Sequence, residues 1–260
     1  MIIHEYGDRS LPHIFLIHGM WMCHEMMLPF VKGFQDDYHI IAPDLTGHGR
    51  DRGRFLSAKD EAEKMEDWLI ANGIPEIDLM FSSSLGGVVA MYLTAGRRHI
   101  RVKCSVMEGA SLTRVPGAGR VFYLMLKGMR DHPEKLEKMY DAVPKSDASL
   151  TVRLVDAMKH TDNVSLKNMV NTCNSFDFEH CPLDEEAQKG LFFEFGSRDS
   201  HILCRKDIRR FYPNAAITVR KGYGHCTYMF THEKEYPGIL LNYMRKAGLI
   251  SPVPDKGRRL

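Results

Sequence analysis

The sequence predicts an α/β fold with a mainly parallel sheet, interrupted once by a helical block. Three observations carry this. Short apolar runs alternate with segments of helical spacing through the first third of the chain. From about Leu112 to Glu186 only helical spacing is seen. The strand pattern then returns before a last helix. Short runs without polar alternation read as strands buried on both faces, which parallel sheets require. Strand and helix in regular alternation is the rhythm of parallel crossover units.

Taken in order, Ile2 to Tyr6 is a short edge strand. Ile14 to Ile17 is a β-branched apolar run closed by His18-Gly19. His39 to Pro43 is the next run, closed by Asp44, and Ile77 to Phe81 the third, closed by serines. Between them, Ala62, Met65, Leu69 and Ile70 follow helical spacing, with Ser57 and Glu61 as capping candidates. Leu85 to Thr94 reads as a helix and Arg101 to Met107 as a strand. In the helical block, Leu136, Met139, Tyr140 and Val143 form one stripe at helical spacing. Leu150, Leu154, Val155 and Met158 form a second, and Leu166, Met169, Val170 and Cys173 a third. Leu191 to Phe195 and Ala216 to Val219 are strands, and Lys234 to Lys246 is the final helix, ending at Gly248. Internal repeats and low-complexity segments are absent from the sequence.

Composition narrows the function classes. The 260 residues suffice for a full core without disulfide staples. At 44% hydrophobic and 26% charged, the chain is ordinary for a globular protein. With 35 Lys and Arg against 33 Asp and Glu, the net charge is +2, which argues against a dedicated nucleic-acid binder. No apolar stretch approaches the length of a membrane span. Met1 to Glu5 lacks the basic start and apolar run of a secretory leader. The six cysteines are scattered, without a C-x-x-C pair, so neither zinc nor a disulfide framework is signalled. A cytoplasmic protein with free thiols is the expectation.

The chemistry sits at predicted strand ends. Ser82-Ser83-Ser84-Leu85-Gly86-Gly87 follows a buried strand and opens a helix, the setting a nucleophilic serine on a tight turn requires. Small residues two before and two after the nucleophile let strand and helix approach. Gly86 and Gly87 therefore select Ser84, with Ser82 in the first small position. A serine needs a base. Among 13 histidines, His225 stands out by position: Gly222-Tyr223-Gly224-His225 follows the last strand, at the sheet edge where ligands gather. His201 and His232 fall in or beside helices and read as surface or packing residues, and His18 as a structural histidine. The base needs an acid to fix its tautomer. Asp199, just past its strand, is the candidate and Glu108 the rival. Asp199 gives the order serine, acid, histidine. The developing oxyanion needs donors. The backbone N–H groups of Leu85 and Met20 are the candidates. Met20, Trp21 and Met22 flank that loop, and Trp21 is a candidate substrate contact.

Together these residues resemble the α/β-hydrolase superfamily of serine hydrolases. The resemblance rests on His18-Gly19-Met20-Trp21, Asp44-Leu45-Thr46-Gly47-His48-Gly49-Arg50, Ser82 to Gly87, Gly196 to Asp199, and Gly224-His225, in that order. Ser82 departs from the usual glycine, and Arg50 from the small residue that often follows the last glycine of the second element. The resemblance implies a core of residues 1–111 and 187–260 with an inserted helical cap at 112–186. It implies a serine hydrolase cleaving a small to medium, mainly apolar carboxylic ester or thioester through an acyl-enzyme. No metal or cofactor is implied, and neither nucleic acid nor membrane is an expected partner. Ser84 argues against dehalogenases and epoxide hydrolases, which carry aspartate there. A cofactor-free lyase or C–C hydrolase on the same groups, and a non-catalytic ligand-binding protein on the same fold, are the alternatives.

Overall fold

Seven strands form the central sheet, in the order β1-β3-β2-β5-β7-β8-β9. In this computed structural model the described residues are 1–96, 99–114, 117–133 and 148–250. The strands are β1 (Ile2–Tyr6), β2 (His13–Ile17), β3 (His39–Asp44), β5 (Leu79–Ser83), β7 (Ser105–Glu108), β8 (Leu191–Gly196) and β9 (Ala216–Arg220). Among the described residues of this sheet, only β1 runs antiparallel, against β3; the other pairings are parallel. Two short strands, β4 (Glu76–Ile77) and β6 (Arg101–Val102), pair separately.

Side chains alternate across this sheet into two cores. Phe15 and Ile17 of β2, Met80 of β5, and Phe193 and Phe195 of β8 face one cluster, with helices α1 (Ala58–Ala71) and α2 (Leu85–Ala95). Ile14, Leu16, Phe81, Val106 and Phe192 face the other, with Tyr236, Leu240 and Met244 of the last helix. A strand with both faces buried needs apolar residues at every position, hence the continuous runs in the sequence.

Between β7 and β8 the described helices are α3 (Ala118–Asp131), α4 (Ala148–His160), α5 (Asn163–Asn174) and α6 (Glu185–Lys189). The third stripe lies along α5, with Leu166, Met169, Val170 and Cys173 all buried. Leu154 and Met158 of the second stripe are buried on α4. The stripe from Leu136 to Val143 lies outside the described residues. Several side chains tie this segment to the loops after β2 and β3. Trp21 Nε1 donates to Thr161 Oγ1 at 3.1 Å, and Asn168 Nδ2 donates to the Phe55 carbonyl at 3.0 Å. Arg52 pairs with Asp156 and Arg54 with Asp162. Helices α7 (Arg205–Phe211), α8 (Thr227–Thr231) and α9 (Tyr236–Lys246) complete the chain.

Four sequence expectations shift. The run Ile77–Phe81 is broken at Asp78, whose N–H donates to His13 O while its carboxylate accepts from His13 N, both at 2.9 Å. Arg101–Met107 is broken likewise, because the Lys103 N–H turns to Ile77 O. Ser57 caps α1 by accepting from Asp60 N, but Glu61 does not cap: it is buried and accepts from Thr46 N at 2.8 Å. The last helix starts at Tyr236, with Pro237 in its first turn, after a short 3₁₀ turn over Glu233–Glu235. Among the described residues no helix is long and apolar enough to cross a membrane. All six cysteines are free and buried.

Helix α2 lies very close to β2. A Cβ on Gly86 would sit 2.5 Å from both the Ile17 and His18 carbonyl oxygens. Gly86→Ala gains up to about 1 kcal/mol of helix propensity but forces a Cβ against two backbone carbonyls, at the upper end of the roughly 1–3 kcal/mol that overpacking costs. The clash wins, and urea unfolding should show a lower midpoint. An unchanged midpoint would contradict the close approach.

Candidate active site

The turn between β5 and α2 holds Ser84 at φ 50° and ψ −117°, an unfavourable backbone for a residue with a Cβ. It is held there by partners. The Ser84 N–H donates to Glu108 O at 2.9 Å, and its carbonyl accepts from Gly87 N and Ser111 N. The three serines diverge. Ser82 and Ser83 are fully buried, and Ser83 Oγ lies 3.9 Å from the sulfurs of Met22 and Met27. Ser84 turns the other way, with Oγ 2.8 Å from His225 Nε2.

His225 follows the loop after β9, and Asp199 the loop after β8. The two strands are neighbours, so the loops meet. His225 Nδ1 lies 2.9 Å from Asp199 Oδ2. With Nδ1–H donating to the carboxylate, Nε2 is left to accept the Ser84 hydroxyl proton. Burial raises the Asp199 carboxyl, but the hydrogen bond and charge of His225 outweigh it, and the net direction is down. Burial of the His225 ring opposes its charge, while Cys226 and Asp199 favour it, and the net direction is up. Burial raises the Cys226 thiol above its ordinary value, so it is neutral where histidine titrates. Asp199 is then the partner that acts.

Glu108, the rival acid, points away from His225. It is fully buried beside Glu194, its register partner across β7 and β8. Tyr236 Oη donates to Glu194 Oε2 at 2.8 Å and lies 3.4 Å from Glu108 Oε2. Burial first, then the Glu194 charge, hold Glu108 well above the carboxylate range. Glu194 also accepts from Tyr243 Oη at 2.6 Å and pairs with Arg220.

The loop after β2 passes against the serine. A Cβ on Gly19 would lie 3.3 Å from Ser84 Cβ, so Met20 follows directly at the site. His18 is buried, and burial drives its pKa down to about 3. Its Nε2 accepts from Leu45 N at 3.1 Å, so Nδ1 carries the proton and donates to Gly19 O at 2.7 Å. Trp21 takes φ 63°, and its indole is buried with the N–H given to Thr161. Asp44 braces the same loop, accepting from His24 N at 2.9 Å and Arg50 N at 3.1 Å. Only glycine fits at position 49, where a Cβ would fall 2.2 Å from the Asp44 carboxylate carbon.

His201 lies on a short 3₁₀ turn over Ser200–Cys204, in keeping with its placement in or beside a helix, and packs at the site. Its ring centroid lies 4.9 Å from that of His225, and its backbone N–H donates to Asp199 Oδ1 at 2.9 Å. Ser111 also stands at the site, with Oγ 3.5 Å from Ser84 Oγ. Ser111 follows the C-terminal end of β7, which pairs with β5, and His201 that of β8, the next strand, the criterion that selected His225. Applied to every polar residue within a few positions of a strand end, it would have found them.

Two groups of side chains could offer metal ligands among the described residues: Asp199 with His201 and His225, and His4 with His24 and Asp44. The first is the hydrogen-bonded site above. In the second the imidazoles stack with centroids 3.5 Å apart and planes 12° from parallel. Nitrogen lone pairs in nearly parallel planes do not converge on one ion, as ligation needs. Asp44 instead receives both rings, Oδ1 facing His24 Nδ1 at 2.9 Å and Oδ2 facing His4 Nε2 at 3.3 Å.

Residues 14–236 match the alpha/beta hydrolase family, and the chain belongs to it. A curated relative, the (E)-2-((N-methylformamido)methylene)succinate hydrolase of Acinetobacter baylyi, is 26% identical over 110 residues. That match spans 41% of this chain and 41% of the relative, less than half of either. Two solved structures are similar in fold. A structure from a study of Nitrososphaera gargenis carboxylesterases has TM-score 0.71 at 16% identity, covering 95% of this chain and 94% of the other. A thermophilic esterase from Thermogutta terrifontis has TM-score 0.69 at 16% identity, covering 95% and 93%.

The pairing of His225 with Asp199 has a direct measure. By NMR titration the His225 imidazole should titrate above its unperturbed value of about 6.5. Asp199→Asn removes the favourable charge and leaves burial, so the value should drop. Glu108→Gln should move it far less. The reverse ranking would make Glu108 the partner.

Proposed function

We propose that the protein is a serine hydrolase cleaving a small to medium, mainly apolar carboxylic ester or thioester through an acyl-enzyme. The observation that carries this is the chain Ser84 Oγ to His225 Nε2 at 2.8 Å and His225 Nδ1 to Asp199 at 2.9 Å, on a serine at φ 50°. Ser84 is the nucleophile. His225 takes its proton as Oγ attacks the carbonyl carbon, then delivers it to the leaving group. Asp199 holds the imidazole in the needed tautomer and stabilises the imidazolium. The backbone N–H groups of Met20 and Leu85 stabilise the oxyanion. Water then attacks the acyl-enzyme, with His225 again the base.

The apolar preference is supported by the packing around the loop after β2. Met20 and Phe122 of α3 both pack against the two cores, and Met22 and Leu126 are buried in the second. The helices between β7 and β8 act as a cap over the strand ends. Each methylene removed from water there contributes about 0.8 kcal/mol.

The test is an ester series. On p-nitrophenyl esters, kcat/KM should rise from acetate through the next few acyl lengths, then fall once the pocket is full. Ser84→Ala should lower turnover by several orders of magnitude, with a fluorophosphonate adduct mapping to Ser84 in the wild type. A variant at near-wild-type rate, or an adduct on Ser83, would remove Ser84 as the nucleophile.

The pH profile follows from the raised His225. Only neutral His225 accepts the Ser84 proton, and its value in the folded protein is raised. Activity should therefore be full above that value and fall as pH drops through it, with a midpoint above about 6.5. An acid limb with a midpoint near 5, or none, would exclude His225 as the base.

A further inference from the structure

We infer that Ser111, oriented by His201, holds the hydrolytic water at the acyl-enzyme and thereby favours water over alcohols as acyl acceptor. This rests on the acyl-enzyme reading above. The argument follows protons through one hydrogen-bonded chain. Thr113 Oγ1 donates to the Cys173 carbonyl at 2.9 Å, which commits its proton. Its oxygen is then an acceptor for His201, whose Nδ1 is 3.3 Å away. Burial, then the His225 charge, drive the His201 pKa down to about 4, so the ring is neutral and carries one proton. That proton is on Nδ1, which leaves Nε2 an acceptor. Ser111 Oγ lies 3.3 Å from Nε2. Of the other groups beside Ser111, Ser84 Oγ is farther, at 3.5 Å, and a hydroxyl oxygen is a weaker acceptor than an imidazole nitrogen, while Cys173 is a neutral thiol with its pKa pushed up to about 12, and a weak acceptor. The Ser111 proton therefore goes to His201.

Ser111 thus faces Ser84 with lone pairs only. Two acceptors surround the nucleophile: His225 Nε2 at 2.8 Å and Ser111 Oγ at 3.5 Å. In the acyl-enzyme Ser84 Oγ is an ester oxygen and donates to neither. The arriving water has two protons. One goes to His225 as the water oxygen bonds the acyl carbon, and the other is held by Ser111 Oγ. The bond from the acyl carbon to Ser84 Oγ then breaks, and His225 returns its proton to Ser84. An alcohol has one hydroxyl proton, which His225 takes, so Ser111 gives it no hold. His201 is a positioning residue here, since it acts through Ser111.

The readout is a partition ratio. Wild type, Ser111→Ala, Ser111→Thr and His201→Phe would turn over p-nitrophenyl butyrate in buffer containing methanol. Methyl butyrate and butyrate would be quantified. Both products leave one acyl-enzyme, so their ratio is independent of the folded fraction and of the acylation rate. His201→Phe keeps the ring volume and leaves Ser111 in place, which separates the acceptor from space made by truncation. Ser111→Ala and His201→Phe should each raise the methanol-to-water ratio about three- to tenfold, the size of one hydrogen bond. Ser111→Thr, which keeps the hydroxyl, should return it toward wild type. An unchanged ratio in Ser111→Ala overturns the inference. A change in Ser111→Ala without one in His201→Phe overturns the orienting role of His201. If wild type gives no adduct at Ser84 and no methyl ester, the acyl-enzyme reading fails first and this inference falls with it.

Discussion

The close approach of helix α2 to strand β2 is the constraint on which the site depends. Ser84 sits where a strand must become a helix within one residue, and its φ of 50° is costly for any residue with a Cβ. The turn persists because it is over-determined. Glu108 O takes the Ser84 N–H, and the Ser84 carbonyl receives the Gly87 and Ser111 N–H groups. Gly86 lets the helix lie against the carbonyls of β2, and Gly87 lets it lie against Ala110. With side chains at those two positions the helix would stand off and the serine would relax. The strain aims one oxygen above the sheet while its two serine neighbours stay buried.

Electrostatics around that oxygen are arranged in two tiers. Above the sheet, Asp199 and His225 move in opposite directions, one pKa down and one up, because one hydrogen bond favours both charged forms. Within the second core, Glu108 and Glu194 lie side by side with Tyr236 between them. Two buried carboxylates this close do not both ionise readily, and Glu194 has Arg220 and two tyrosine hydroxyls to stabilise its charge. Burial first, then the neighbouring Glu194 charge, holds Glu108 well above the carboxylate range. The backbone of Glu108 still serves the site, since its carbonyl fixes Ser84 and lies 3.6 Å from Cys226 Sγ.

The loop carrying Met20 is braced from several sides. His18 fixes the Gly19 carbonyl, Asp44 fixes the segment at His24, and Trp21 is tied to the inserted helices through Thr161. The oxyanion role proposed for the Met20 N–H asks for placement rather than flexibility, which a loop held by buried hydrogen bonds supplies. The ion pairs from Arg52 and Arg54 to the inserted helices are exposed and contribute little individually. The buried Trp21 contact and the apolar packing of Leu154, Met158 and Leu166 hold those helices.

Much of this was legible in the sequence, because the signals are local. Continuous apolar runs mark strands buried on both faces. Ser84 is singled out by Gly86 and Gly87, since only small residues permit the helix to start there. His225 and Asp199 stand just past strand ends. Where the sequence fell short, the missing information was non-local. The breaks at Asp78 and Lys103 come from hydrogen bonds to His13 and Ile77. Alternation puts Glu108 on the face of Val106, but nothing local says that this face carries Tyr236. His201 does lie on a short helical turn, but nothing local says that strand order brings Ser111 and Thr113 beside it. The order of elements and the serine turn follow from residue size and hydrophobic period, which the chain carries in itself. Which loop ends meet, and which hydroxyls and carboxylates they face, was decided by strand order and register, because those set distances between residues far apart in the chain.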